Sequence, residues 1–314
     1  MDFKSDTEFE GRFGHISLPF KNGFVIYGGE KQYNKAFRVR ECLNDVRYFN
    51  LDTGEWRFIK TWGDFVEGRR NHAGTILTKN MLVYGGINNN GRFLNDLVQL
   101  NLETHKWMVC EFEPSVSNEE NIAFHTICAV FKSEPKVSSI YHPYEYFQIL
   151  KKGNNNQRNI MEEGIYVFGG KNKNNEATNR LKILKIGKKP LIWIQPLTSG
   201  QPPTARYQHS MTYQEDFNFL IIYGGRNDAL GIFGDVFLLR LSNLNWYSVS
   251  VYGDFIGKER FGHSAASFGD KFLVFGGVDT HGFSKGELLA FELSKNKILN
   301  NGTFFLEVRM LSEN

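Results

Sequence analysis

A short apolar run closed by two glycines occurs five times in this 314-residue chain, and it constrains the fold more than any other feature. The copies are Phe24-Val25-Ile26-Tyr27-Gly28-Gly29, Met81-Leu82-Val83-Tyr84-Gly85-Gly86, Ile165-Tyr166-Val167-Phe168-Gly169-Gly170, Leu220-Ile221-Ile222-Tyr223-Gly224-Gly225 and Phe272-Leu273-Val274-Phe275-Gly276-Gly277. β-Branched and aromatic residues suit a pleated surface packed on both faces. Paired glycines let the backbone take positive φ and let a neighbouring segment approach closely. Each copy therefore predicts a buried strand that stops abruptly, and five copies in one frame predict a repeated supersecondary unit.

The flanks repeat as well. Upstream lie Arg12 and His15, Arg69 and His72, Arg206 and His209, and Arg260 and His263, each arginine three residues before its histidine. The third copy keeps His125 but has Ile122 in the arginine position. From arginine to first glycine the spacing is 16 residues in copies one, two and five and 18 in copy four. Downstream come a turn and a further strand, at Asn44-Asp45-Val46, Asn95-Asp96-Leu97, Asn179-Arg180-Leu181, Gly234-Asp235-Val236 and Gly286-Glu287-Leu288. Trp56, Trp107 and Trp246 each follow their aspartate by 11 residues, and Trp193 follows Arg180 by 13. In the last copy Ile298 holds that place, with Phe304 or Phe305 as the substitute.

This pattern resembles the kelch repeat, whose double glycine, acidic turn and spaced aromatic each have a counterpart here. The resemblance runs from Arg12 to about Met310 and implies an all-β fold, a kelch-type β-propeller of four-stranded antiparallel blades. The residues argue the same architecture: short strands at regular spacing, punctuated by glycine, without long helical periodicity, imply an all-β closed array. Radial closure leaves few strand edges exposed. The expected layout is an acidic lead at 1–11, one propeller at 12–310 and a tail at 311–314. Its blades are expected at 12–65, 69–112, 122–197, 206–255 and 260–310. Blade three carries an insertion at 131–163, in which Tyr144 to Lys152 could form two helical turns. Kelch propellers more often have six or seven blades, so five repeats leave open whether the ring closes with five or is completed by a partner.

Composition narrows the class. With 41% apolar and 15% aromatic residues the chain can fill a sizeable core. A net charge of +3 is too mild to imply nucleic acid. Cys42, Cys110 and Cys128 are odd in number and lack metal-ligand spacing, which suits a reducing compartment. The polar start, Met1 to Asp6, has no secretory core, and no apolar run approaches the roughly 20 residues that span a bilayer. The expectation is a cytoplasmic protein without cofactor, nucleic-acid or membrane partner, with cytoskeletal association as its finer form.

The Arg-x-x-His pairs invite a catalytic reading, since histidine titrates near neutrality. Because they recur once per blade, the structural reading is stronger, with each pair bonding backbone or acidic turn residues inside its own blade. The glycines and the four tryptophans are likewise read as structural, the tryptophans as core. Glu259 with His263 makes no metal site, and the double glycines lack the lysine and helix of a phosphate loop. Charge is the distinctive local feature. Residues 151–190 hold ten basic against three acidic side chains. One reading is a lysine-protected edge strand; the other is a docking surface for an acidic partner such as tubulin, formed by Lys171, Lys173, Lys188 and Lys189 with Lys151 and Lys152 nearby.

The leading expectation, implied by the kelch resemblance, is a non-enzymatic interaction scaffold that binds through blade loops. Two alternatives stand beside it. One is a small-molecule enzyme or specifier with its site at the propeller mouth. The other is a substrate adaptor for ubiquitin transfer, a class whose members generally add a BTB domain that these residues do not contain.

Overall fold

The computed structural model describes residues 11–31, 41–112, 121–131, 163–186, 190–253, 259–282, 286–293 and 304–311. Nearly all of the 131–163 insertion, including Tyr144 to Lys152, lies outside them. They divide into two compact units. The first holds blades one and two with the leading turn of blade three, and the second holds the strands of blades three, four and five.

In the first unit, blade one is the antiparallel sheet of Ile16–Phe20, Gly23–Tyr27, Val46–Asn50 and Glu55–Ile59, in that spatial order. Blade two repeats it with Ala73–Leu77, Asn80–Tyr84, Leu97–Asn101 and Lys106–Val109. A two-residue strand, Trp62–Gly63, pairs in parallel with the last of these and links the two blades at their outer edge. Because strand faces alternate with period two, one face of each central strand turns to the neighbouring blade. Val25, Tyr27 and Val46 of blade one thus pack with Met81, Val83, Val98, Leu100 and Trp107 around blade two.

The second unit follows the same plan. Blade three is Thr126–Val130, Gly164–Phe168, Leu181–Lys185 and Ile192–Ile194. Blade four is Ser210–Gln214, Phe219–Tyr223, Val236–Arg240 and Asn245–Gly253. Blade five is Ser264–Phe268, Lys271–Phe275, Leu288–Leu293 and Phe304–Leu311. Phe219–Tyr223 is buried along its whole length and serves two interfaces. Leu220 and Ile222 face blade three, while Phe219, Ile221 and Tyr223 face blade five. The outer strands of blades four and five pair in parallel, Val249 opposite Phe304, so the two blades share an eight-stranded sheet. The only helical turn among the described residues is Glu215–Phe217.

The tryptophans differ in burial. Trp107, Trp193 and Trp246 are buried. Trp107 packs on Tyr27 of the preceding blade at 5.0 Å, and Trp246 on Phe168 at 5.4 Å. Trp56 belongs to the first blade of its unit, is half-buried, and packs instead on Phe24 and Phe49 of its own sheet.

Candidate interaction surface

The repeated Arg-x-x-His turn builds the joint between blades. Its arginine stays inside its own blade, as the sequence leads one to expect. Arg69 forks onto the Asp96 carboxylate through two bonds of 2.8 Å and donates to Gly85 O at 3.1 Å. Arg12 does the same to Asp45 and Gly28 O, and Arg206 to Asp235 and Gly224 O. Arg260 reaches Gly276 O at 3.1 Å and Glu287 at 3.8 Å. The planar guanidinium suits this task because it ties a strand-ending carbonyl and an acidic turn with one rigid group. In blade three both halves of the pair are missing together: Ile122 is buried where arginine stands elsewhere, and Arg180 replaces the acid.

The histidines add a contact that the expectation did not contain: the rings of His72, His125, His209 and His263 reach across to the preceding blade. His72 stacks edge-on against Tyr27 at 5.2 Å, His125 against Tyr84 at 5.2 Å, and His209 against Phe168 at 5.4 Å, while His263 lies tilted on Tyr223 at 5.0 Å. Where the residue paired with that aromatic bears a hydroxyl, the imidazole also bonds it, His209 Nε2 to Thr126 Oγ1 at 2.8 Å and His263 Nε2 to Ser210 Oγ at 2.9 Å. Ile16 holds this position for His72, whose two ring nitrogens are buried with no partner among the described residues.

Backbone completes the joint. The second glycine donates to the carbonyl of the next leading turn, as Gly29 N to Arg69 O, Gly86 N to Ile122 O, Gly170 N to Arg206 O and Gly225 N to Arg260 O, all at 2.8 Å. Isoleucine can stand at 122 because this bond needs only its carbonyl. The residue just before each histidine adopts left-handed backbone: Gly14, Asn71, Phe124, Gln208 and Gly262. Only two of the five are glycine, so the sequence hides a turn that the fold imposes on Phe124 and Gln208 at a cost of about 1–2 kcal/mol each. These turns are also bonded in series, Asn71 N to Gly14 O and Phe124 N to Asn71 O in the first unit, and Gly262 N to Gln208 O in the second.

Burial keeps His72 and His263 neutral. His72 titrates well below the usual imidazole range and His263 is pushed down to about 3, each by desolvation first and the nearby arginine second. A folded pKa below the unfolded one favours folding where both states are neutral. That contribution is complete above about pH 6.5 and is lost as the unfolded imidazole protonates below it. We expect each such histidine to remove about 2 kcal/mol of stability between pH 7 and pH 5. Denaturant midpoints across that range check this, and His263→Gln should flatten the fall; an identical profile would show that His263 does not titrate on unfolding.

The residue after each double glycine and the residue after each leading arginine form a rim. In the first unit its charges cancel, since buried Glu30 holds Arg70. The second unit differs. Lys171 Nζ lies 4.5 Å above the Tyr207 ring and bonds Asp228 at 2.6 Å, and the Tyr207 hydroxyl donates to the same carboxylate. Arg226 lies between Tyr207 at 4.9 Å and Phe261 at 4.5 Å. Its Nε is buried without a hydrogen-bond partner, and its charge acts on the Asp228 carboxyl and on the Tyr207 hydroxyl. Cation and ring thus alternate along Lys171, Tyr207, Arg226 and Phe261. The pairing with Lys171 and Tyr207 holds the Asp228 carboxyl below its ordinary range, and burial with the bond to Asp228 raises the Tyr207 phenol to about 12.

Of this rim only Lys171 is prominent in the sequence. It is not the loop-borne charge expected there: it begins a two-residue strand, and its side chain is only 12% exposed. Lys173 is exposed in a tight turn closed by Asn172 and Glu176. Lys151, Lys152, Lys188 and Lys189 lie outside the described residues. Lys182 and Lys185, on the third strand of blade three, are half-buried, and burial followed by Arg180 lowers Lys182 to about 8. Among the described residues no three His, Cys, Asp or Glu side chains gather to hold a metal ion, and no helix is long and apolar enough to cross a membrane.

Four-stranded antiparallel blades joined through Arg, His and double glycine define a β-propeller of the kelch class. Residues 4–134 and 157–302 match the family model described as the KLHDC2/KLHL20/DRC7 kelch-repeats domain, and the chain belongs to the kelch-repeat family. It is 24% identical over 269 residues to acyl-CoA-binding domain-containing protein 4 of Arabidopsis thaliana, a match spanning 77% of this chain and 39% of that protein. It is 24% identical over 280 residues to host cell factor 1 of Homo sapiens, spanning 85% of this chain and 12% of that one. The chain therefore spans well under half the length of these curated relatives. Among solved structures it resembles YjhT, with a TM-score of 0.64 and 15% identity over 96% of this chain and 84% of that one. Kelch propellers are generally protein-interaction modules.

Proposed function

We propose that this chain is a non-enzymatic protein-binding scaffold that takes an acidic segment of its partner on the rim of blades three to five. The observation that carries the reading is Arg226. Its guanidinium is held between two rings beside the Asp228 carboxylate, so it is oriented in advance for an incoming anion. Lys171 and the exposed Lys173 add positive potential of the kind that speeds encounter with acidic surfaces. The histidines, which would be the natural acid–base groups, are committed to the joints. A cytoplasmic, cytoskeletal partner with an acidic surface, tubulin among them, has the matching chemistry.

The test is titration of a fluorescent eight-glutamate peptide onto the full chain at low and moderate salt. Arg226→Ala is expected to weaken binding roughly tenfold. Lys173→Glu should mainly reduce the salt dependence. Lys171→Gln is preferable to charge reversal, because a glutamate there would face Asp228. Equal affinity in wild type and Arg226→Ala would sink this reading.

A further inference from the structure

The turn that follows the double glycine is built alike in blades four and five. Tyr207 and Arg226 exchange backbone bonds of 3.0 and 2.9 Å, and Phe261 and Val278 exchange the same two. The Asn227 side chain then accepts from Ala229 N at 2.9 Å, and that of Asp279 from His281 N at 2.8 Å. Thr280 therefore stands in blade five where Asp228 stands in blade four. Side chains at this place reach back to the preceding blade. Asp228 takes Lys171 of blade three at 2.6 Å, and in the first unit Asn89 of blade two accepts from Cys42 N of blade one at 2.6 Å. The cation that precedes Thr280 in this scheme is Arg226. Lys171 and Arg226 each follow a double glycine, and each lies 4.5 Å from the ring of the next leading turn, Tyr207 or Phe261. For Lys171 the next blade offers a carboxylate and, in the Tyr207 hydroxyl, a donor to it. For Arg226 it offers Thr280 and Phe261, so the carboxylate and its hydroxyl donor are replaced together.

We propose that the place of the replaced carboxylate is the seat for a single carboxylate of the partner, an Asp or Glu side chain held between the Arg226 guanidinium and the Thr280 hydroxyl. The inference rests on the reading of Arg226 as the group that receives an anion, and adds where that anion sits and which residue keeps its place. A carboxylate there repeats the Asp228–Lys171 contact across the next joint and takes a charge-assisted bond from the guanidinium. The Thr280 hydroxyl, 3.2 Å from His281 Nδ1 in the same turn, rotates to donate to the incoming oxygen, as the Tyr207 hydroxyl donates to Asp228. Asp228 stays with its own partners, since Lys171 and Tyr207 act on its carboxyl more strongly than Arg226 does.

The probe is the fluorescent eight-glutamate peptide, titrated onto the full chain at moderate salt, where fields beyond about 8–10 Å are screened. Thr280→Asp places a carboxylate beside Arg226 within the chain, and is expected to weaken binding roughly tenfold at an unchanged denaturant midpoint. Ala229→Asp adds the same charge one residue past Asp228 in the neighbouring turn, and should change the affinity by no more than about twofold. Thr280→Val, which removes only the hydroxyl, should cost roughly threefold. In an Arg226→Ala background Thr280→Asp should cause no further loss, because both act at one place. Equal losses with Thr280→Asp and Ala229→Asp would assign the effect to general repulsion and overturn the seat, as would additive losses in the double variant. Unchanged binding by Thr280→Asp, with Arg226→Ala still weakened, would remove the seat and leave the reading of Arg226 standing. No binding by the wild-type chain would remove both.

Discussion

Arg206→Ala is expected to destabilise the fold by roughly 3–5 kcal/mol, the largest effect of any single substitution considered. The Arg206 side chain is fully buried. It donates to Thr204 O at 2.9 Å, Gly224 O at 3.0 Å and the Asp235 carboxylate, and it stacks 4.4 Å from Phe233. Alanine would leave two carbonyls without their donor and open a cavity the size of a guanidinium and its stem. The ion pair itself is the smaller part, because the Asp235 side chain is 41% exposed and solvent screens it. Arg206→Lys should recover some of the loss, since one ammonium cannot fork onto both the carbonyl and the carboxylate. The denaturant midpoint at unchanged slope gives the measurement; a loss below about 1 kcal/mol would mean that the joint repacks around the gap.

Gly224→Ala comes next, at roughly 2–4 kcal/mol. Gly224 has φ +63°, and a Cβ would stand 2.6 Å from Arg260 O and 2.9 Å from His263 Cε1. Backbone strain and steric overlap therefore add. Gly276→Ala separates the two terms, because its φ of +73° is similar but no described atom stands within 4 Å of the new carbon. It should cost only the conformational part, about 1–2 kcal/mol. Equal losses at both positions would show that the overlap with Arg260 and His263 adds nothing to the conformational cost.

The strand periodicity, the double glycines and the regular acid after each leading arginine made the blades and the Arg–Asp pairs legible without coordinates. Those interactions join residues of one repeat, so their spacing is written once and copied. The histidines were legible as repeated but not as directed outward, because their partners lie in the previous repeat and depend on blade-to-blade packing. Trp56 shows the same limit: its spacing equals that of Trp107, yet it is only half-buried and packs on its own sheet.

The interaction rim was hidden for a related reason. Charge counting pointed to the lysines of 151–190, and Lys171 belongs to the rim, but its charge is met by Asp228, 57 residues away in sequence. Arg226 is one arginine among many until the fold places it between Tyr207 and Phe261. The sequence by itself determined the repeating unit and what closes within it, because hydrogen-bonding and packing partners at fixed short spacing leave a periodic trace. Tertiary structure alone decided which side chains cross between blades and which cation is held between two rings, since each depends on groups brought together from distant parts of the chain.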